Sequence, residues 1–104
     1  MKEYNIVISL PARQDISKLR RYIATELKEP LSAKKITDSI NTAIASLDIF
    51  PQRYPVIEHE PYATRGIRKM LIENYIVFYE VNESVKKINV FRVIYNRRNW
   101  QMLI

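Results

Sequence analysis

The chain has 104 residues, 47% of them apolar, a formal charge of +6, one glycine, one histidine and no cysteine. That composition excludes thiolate chemistry, disulfides and zinc-ligand patterns. It also excludes the Gly-rich nucleotide loops and the nucleophile elbow, which need two or more glycines at fixed spacing.

Residues 1–104 are expected to form one basic, soluble, cytoplasmic domain with no metal or nucleotide cofactor. No apolar run is long enough to span a membrane, and Met1-Lys2-Glu3-Tyr4 does not lead into a signal-peptide core. Tyr4 to Ser9 is short and β-branched, which predicts a first strand ended by Leu10-Pro11. Ile16, Leu19, Ile23 and Leu27 then recur at spacings of three and four, predicting a helix from Pro11 to near Lys28. Pro30 punctuates. Leu31, Ile36, Ile40, Ala43, Ile44 and Leu47 mark a second helix, so the pair reads as an antiparallel hairpin. Pro51, Pro55 and Pro61 predict an irregular connection up to Ala63.

Three strands follow, over 67–72, 75–81 and 87–95, each rich in Val, Ile, Phe and Tyr. Glu73-Asn74 makes a tight link, with Asn74 able to take the left-handed conformation. Gly66 is expected to supply the backbone turn that aims Arg68 and Lys69. The reading is an α+β, βααβββ domain with its helical hairpin on one face of a mostly antiparallel four-stranded sheet. A short C-terminal tail is expected to pack back through Trp100. Two helices cover only one face, leaving the other free to present side chains and closed in part by the loop and the tail. Strand alternation puts Arg68 with Met70 and Ile72, and Arg92 with Val90 and Ile94.

Charge is concentrated late in the chain. Residues 61–104 carry Arg65, Arg68, Lys69, Lys86, Lys87, Arg92, Arg97 and Arg98 against only Glu73, Glu80 and Glu83, and seven of the eleven aromatics lie there too. Guanidinium forks with interleaved rings suit a polyanion; equally, arginines on a solvated sheet face above an aromatic core produce the same count. The chemistry such a set supports is metal-free phosphodiester transfer in RNA. Arginines would stabilise the phosphate, and Lys69, Tyr95, His59 or Glu58 would move protons. Each also has a plain structural reading: His59 as a solvated loop residue, Tyr95 as half-buried packing, and Trp100 as the tail's core anchor.

The order of elements, with Pro11-Ala12-Arg13-Gln14-Asp15-Ile16, Ile44-Ala45-Ser46-Leu47 and Phe50-Pro51, resembles the RelE/ParE superfamily of type II toxin–antitoxin toxins. Gly66-Ile67-Arg68-Lys69, Asn74 to Tyr79 and Val90 to Trp100 resemble its meander and tail. The resemblance implies a growth-inhibiting toxin neutralised by a cognate antitoxin, meeting DNA only through the antitoxin complex. RelE-like members cut mRNA on the ribosome, whereas ParE-like members poison DNA gyrase; an inert antitoxin-binding remnant is the third alternative.

For the nuclease alternative the expected catalytic set is Arg68, Lys69, Tyr95 and Arg98, with Arg65, Arg92 and Arg97 as RNA-phosphate ligands; of these the resemblance itself carries over only Lys69 and Arg98. Lys69 and Arg98 match basic residues of active nucleases. The arginine that those nucleases carry after the third-strand tyrosine is Ile76 here, and Tyr95 stands where many ParE-like members carry histidine.

Overall fold

A computed structural model describes residues 3–96 and 100. The elements are β1 (Asn5–Ile8), α1 (Leu10–Arg21), α2 (Pro30–Ala45), a short α3 (Tyr62–Arg65), β2 (Arg68–Ile72), β3 (Tyr75–Asn82) and β4 (Lys87–Tyr95). The sheet order is β1-β4-β3-β2, with β1 parallel to β4 and the other pairs antiparallel. This is the expected α+β arrangement, a helical hairpin on a mostly antiparallel sheet.

Helix α1 begins where Ser9 Oγ accepts the Ala12 N–H at 3.2 Å, and Pro11 occupies its first turn, where its missing N–H costs nothing. Regular α-helix stops at Arg21, earlier than the periodicity suggests. The next turn, Tyr22–Glu26, widens to π-helical bonding, with the Leu27 N–H donating to Tyr22 O at 3.1 Å. Lys28 then turns left-handed, φ 53°, and Pro30 opens α2.

The apolar stripes of both helices meet the sheet. Leu19, Ile23, Ala33, Ile40, Ile44 and Leu47 pack against Met70, Val77, Tyr79, Ile88, Val90 and Val93. Ile40 is fully buried, and truncating such a side chain costs about 2–5 kcal/mol. A second, smaller core occupies the opposite face. There Ile57, Ile67, Ile76, Phe78 and Ile94 are covered by Tyr62, Phe91 and Trp100. That face, expected to be free to present side chains, is thus a packed core, with the Trp100 ring 5.2 Å from that of Phe78.

Two local expectations change. The alternation along β4 is interrupted by a bulge: Phe78 pairs with Arg92 but Tyr79 pairs with Val90, leaving Phe91 extra. Val90 and Val93 therefore share the helix-side core, while Phe91 and Ile94 join the other, so Arg92 does not sit in a simple row with Val90 and Ile94. In the β2–β3 link the left-handed residue is Glu73, φ 54°, and not Asn74.

The proline-containing connection is also more ordered than its composition suggests. Pro51–Arg53 forms a 3₁₀ turn. The Ile57 N–H donates to Ile67 O at 2.8 Å and the Lys69 N–H to Pro55 O at 3.1 Å, covering the outer edge of β2. Gly66 has φ 72° and closes α3 with nothing within 4 Å of where a Cβ would sit, so its requirement is conformational, as expected.

Candidate functional site

Arg68 lies on the helix side of β2, next to Met70 in alternation and opposite Tyr79 in register. Its fork is directed inward: Nη1 donates to Tyr54 O at 2.6 Å and to Gln52 O at 3.1 Å. The Tyr79 hydroxyl donates to Pro51 O at 2.6 Å. Burial pushes the Tyr79 phenol up to about 12, against the smaller opposing pull of Arg68 and Arg53. Together these two side chains pin the segment after α2.

Arg92 is clasped by a carboxylate. Its Nε donates to Asp15 Oδ2 at 2.7 Å and its Nη2 to Asp15 Oδ1 at 3.1 Å, a bidentate pair. Asp15 Oδ2 also accepts the Val93 N–H at 2.9 Å, where β4 runs on past the end of β1. The hydrogen bond from Arg92 to Asp15 raises the guanidinium pKa further. Asp15 was invisible as a site residue in the sequence, because nothing local links position 15 to the strand beside which α1 lies.

Tyr95 packs its ring 5.5 Å from Tyr75, which belongs to the helix-side core. Both line a groove of about 560 Å³ with Tyr22, Leu27 and Lys18, beneath the π-helical turn. Burial, then the neighbouring phenols Tyr95 and Tyr22, raise the Tyr75 pKa.

Lys69 points the other way. It is exposed on the face of the second core, with Nζ 5.8 Å from the centre of the Trp100 ring. It borders a groove of about 370 Å³ that Glu58, His59 and Trp100 also line. His59 is exposed and stacks on Tyr62 at 6.1 Å. Arg65, on α3, lies 5.9 Å from the Phe91 ring and 3.9 Å from Glu80.

The sheet thus divides the expected set. Arg68 and Tyr95 belong to the helix side, and Lys69 and Arg65 to the opposite side. Arg92 is engaged with α1 through Asp15. Arg97 and Arg98 lie outside the described residues.

Sequence reasoning also missed Arg53. Its Nη1 donates to Ile49 O at 2.7 Å and Phe50 O at 3.1 Å, and its Nη2 to Ser46 Oγ at 2.9 Å. The available signal was a basic residue placed just beyond the helix end, where carbonyls lack partners.

A family model described as the ParE toxin of type II toxin–antitoxin system, parDE, matches residues 6–100. Among solved structures, the chain is similar to one from the chromosomal ParDE system of P. aeruginosa, with TM-score 0.72 and 17% identity over 91% of this chain and 98% of that one. It is similar to one from the RelBE2 toxin–antitoxin complex of Mycobacterium tuberculosis, with TM-score 0.63 and 18% identity over 89% and 98%. It also resembles one from the archaeal RelE–RelB complex of Pyrococcus horikoshii OT3, with TM-score 0.63 and 18% identity over 92% and 98%. No curated protein matches the sequence significantly. With strand order, helical hairpin and a family match over nearly its whole length in agreement, the chain belongs to the ParE toxin family of type II toxin–antitoxin systems, within the RelE/ParE superfamily.

Proposed function

We propose that this toxin arrests growth by binding DNA gyrase without cutting RNA, acting in the cytoplasm and held inactive by a co-expressed antitoxin. The observation that carries the mechanism is the dispersal of the expected nuclease groups among the described residues. Metal-free phosphodiester transfer needs a base, an acid and cationic donors converging on one phosphate. Here Arg68 Nη1 donates to loop carbonyls, Arg92 is paired with Asp15, and Tyr95 lies across the sheet from Lys69. Ile76, in place of a nuclease arginine, is itself buried in the second core. The antitoxin is supported by the similar structures, which come from toxin–antitoxin systems.

A second reading, ribosome-dependent mRNA cleavage, is favoured by one observation: Lys69 and Trp100 share a groove with Glu58 and His59. A supercoiling assay with purified gyrase separates the two. Inhibition with accumulation of gyrase–DNA cleavage complexes supports the first reading, and unimpaired supercoiling overturns it.

A further inference from the structure

Phe50 combines an unfavourable backbone with an absence of internal packing. It sits at φ 50°, ψ 59°, a left-handed conformation that non-glycine residues avoid, and directly precedes Pro51, which restricts it further. A buried aromatic ring would offset that cost, but this one is 64% exposed and belongs to neither core. Its neighbour Ile49 is 50% exposed.

The segment is nevertheless held rigidly. Arg53 grips the carbonyls of Ile49 and Phe50, Tyr79 that of Pro51, and Arg68 those of Gln52 and Tyr54. Three side chains fix a loop whose tip is an aliphatic–aromatic pair in solvent. Rigid display lowers the ordering cost of binding, and aromatic residues supply most anchors in protein interfaces.

We propose that Ile49 and Phe50 form a preorganised apolar knob by which this toxin anchors to its target enzyme, in a ring-sized apolar pocket rimmed by carboxylates. The proposal rests on the gyrase reading and assigns it a contact. Two observations select the partner's chemistry. Ile49 has no π-face for stacking on a base, which favours a protein over a nucleic acid. The Arg53 charge, 4.9 Å from the Tyr54 ring, meets no carboxylate among the described residues of this +6 chain, which favours an acidic rim.

The test compares the wild-type chain with Phe50→Gly and Phe50→Trp in three measurements: gyrase inhibition, affinity for the co-expressed antitoxin, and Tm. Glycine relieves the backbone conformation, so Phe50→Gly should melt no lower than wild type while inhibiting gyrase at least ten-fold less well. It should bind antitoxin with unchanged affinity, and Phe50→Trp should retain inhibition. Undiminished inhibition by Phe50→Gly overturns the knob, as does a clearly lowered Tm, which would mean that the ring packs internally. Loss of antitoxin affinity with inhibition intact would assign the knob to the antitoxin and also overturn the proposal. A wild-type chain that leaves gyrase unaffected overturns the gyrase reading itself, and the proposal with it.

Discussion

Arg68 and Tyr79 face each other across β2 and β3, and both donate to carbonyls of one loop: Arg68 to Gln52 and Tyr54, Tyr79 to Pro51. A guanidinium that looks in sequence like a phosphate ligand is here a fastener for backbone. The energetic consequence differs from that of a catalytic arginine, because its loss leaves half-buried carbonyls without a donor.

Arg68→Met is therefore expected to destabilise the fold by about 2 kcal/mol, the range for hydrogen bonds to a charged group. Urea unfolding measures this directly. Toxicity should fall only in proportion to the folded fraction.

Tyr79 gives the loop a pH dependence at the alkaline end. Its folded-state pKa, about 12, lies above the ordinary 10.0, so the neutral phenol's contribution is fully present below pH 10 and is lost as pH rises toward 12. Tyr79→Phe should be less stable at neutral pH by about 1–2 kcal/mol, from the unpaired Pro51 carbonyl. It should also lose stability less steeply between pH 10 and 12, which thermal melts across that window would show.

Asp15→Ala removes three hydrogen bonds at once, two from Arg92 and one from the Val93 N–H. The pair is largely but not fully buried, with side chains 27% and 14% exposed, so the expected cost is about 3 kcal/mol, at the lower end for a broken buried pair. Hydrogen exchange should show the β4 amides near Val93 losing protection first. Asp15→Ala and Arg92→Met together should cost less than the sum of the single substitutions.

The strand, hairpin and meander were readable from the sequence because periodicities of two and about 3.6 report which side of an element is buried; the second core was not, because the face away from the helices was expected to present free side chains. The bulge at Phe91 was not, since one extra residue changes facing without changing composition. Nor were the long-range bonds that decide what each cation does. Arg92 and Asp15 are separated by most of the chain, and only the placement of α1 along the overhanging end of β4 brings them together. Lys69 and Arg68 take opposite sides of β2 as alternation implied, but nothing in the sequence showed that the carbonyls of Gln52 and Tyr54 would accept from Arg68. Charge counting finds cations but does not tell which are already engaged.

Tyr95 supplies a functional prediction of the same kind. Its ring packs on Tyr75 across the sheet from Lys69, so Tyr95→Phe keeps the packing and removes only the hydroxyl. Growth inhibition by this variant should stay within about two-fold of wild type, as expected when no step depends on that phenol. A loss of 100-fold or more, with the fold intact by circular dichroism, would return Tyr95 to the role of acid or base.

The proposed action on gyrase, with message left intact, can be tested in the cell. Its most direct measurement is induction in cells lacking the antitoxin, with mRNA ends mapped in the first minutes alongside an SOS reporter. SOS induction and filamentation with unbroken mRNA are expected. Codon-positioned cuts in translated mRNA, with rapid loss of protein synthesis and no SOS response, would contradict it.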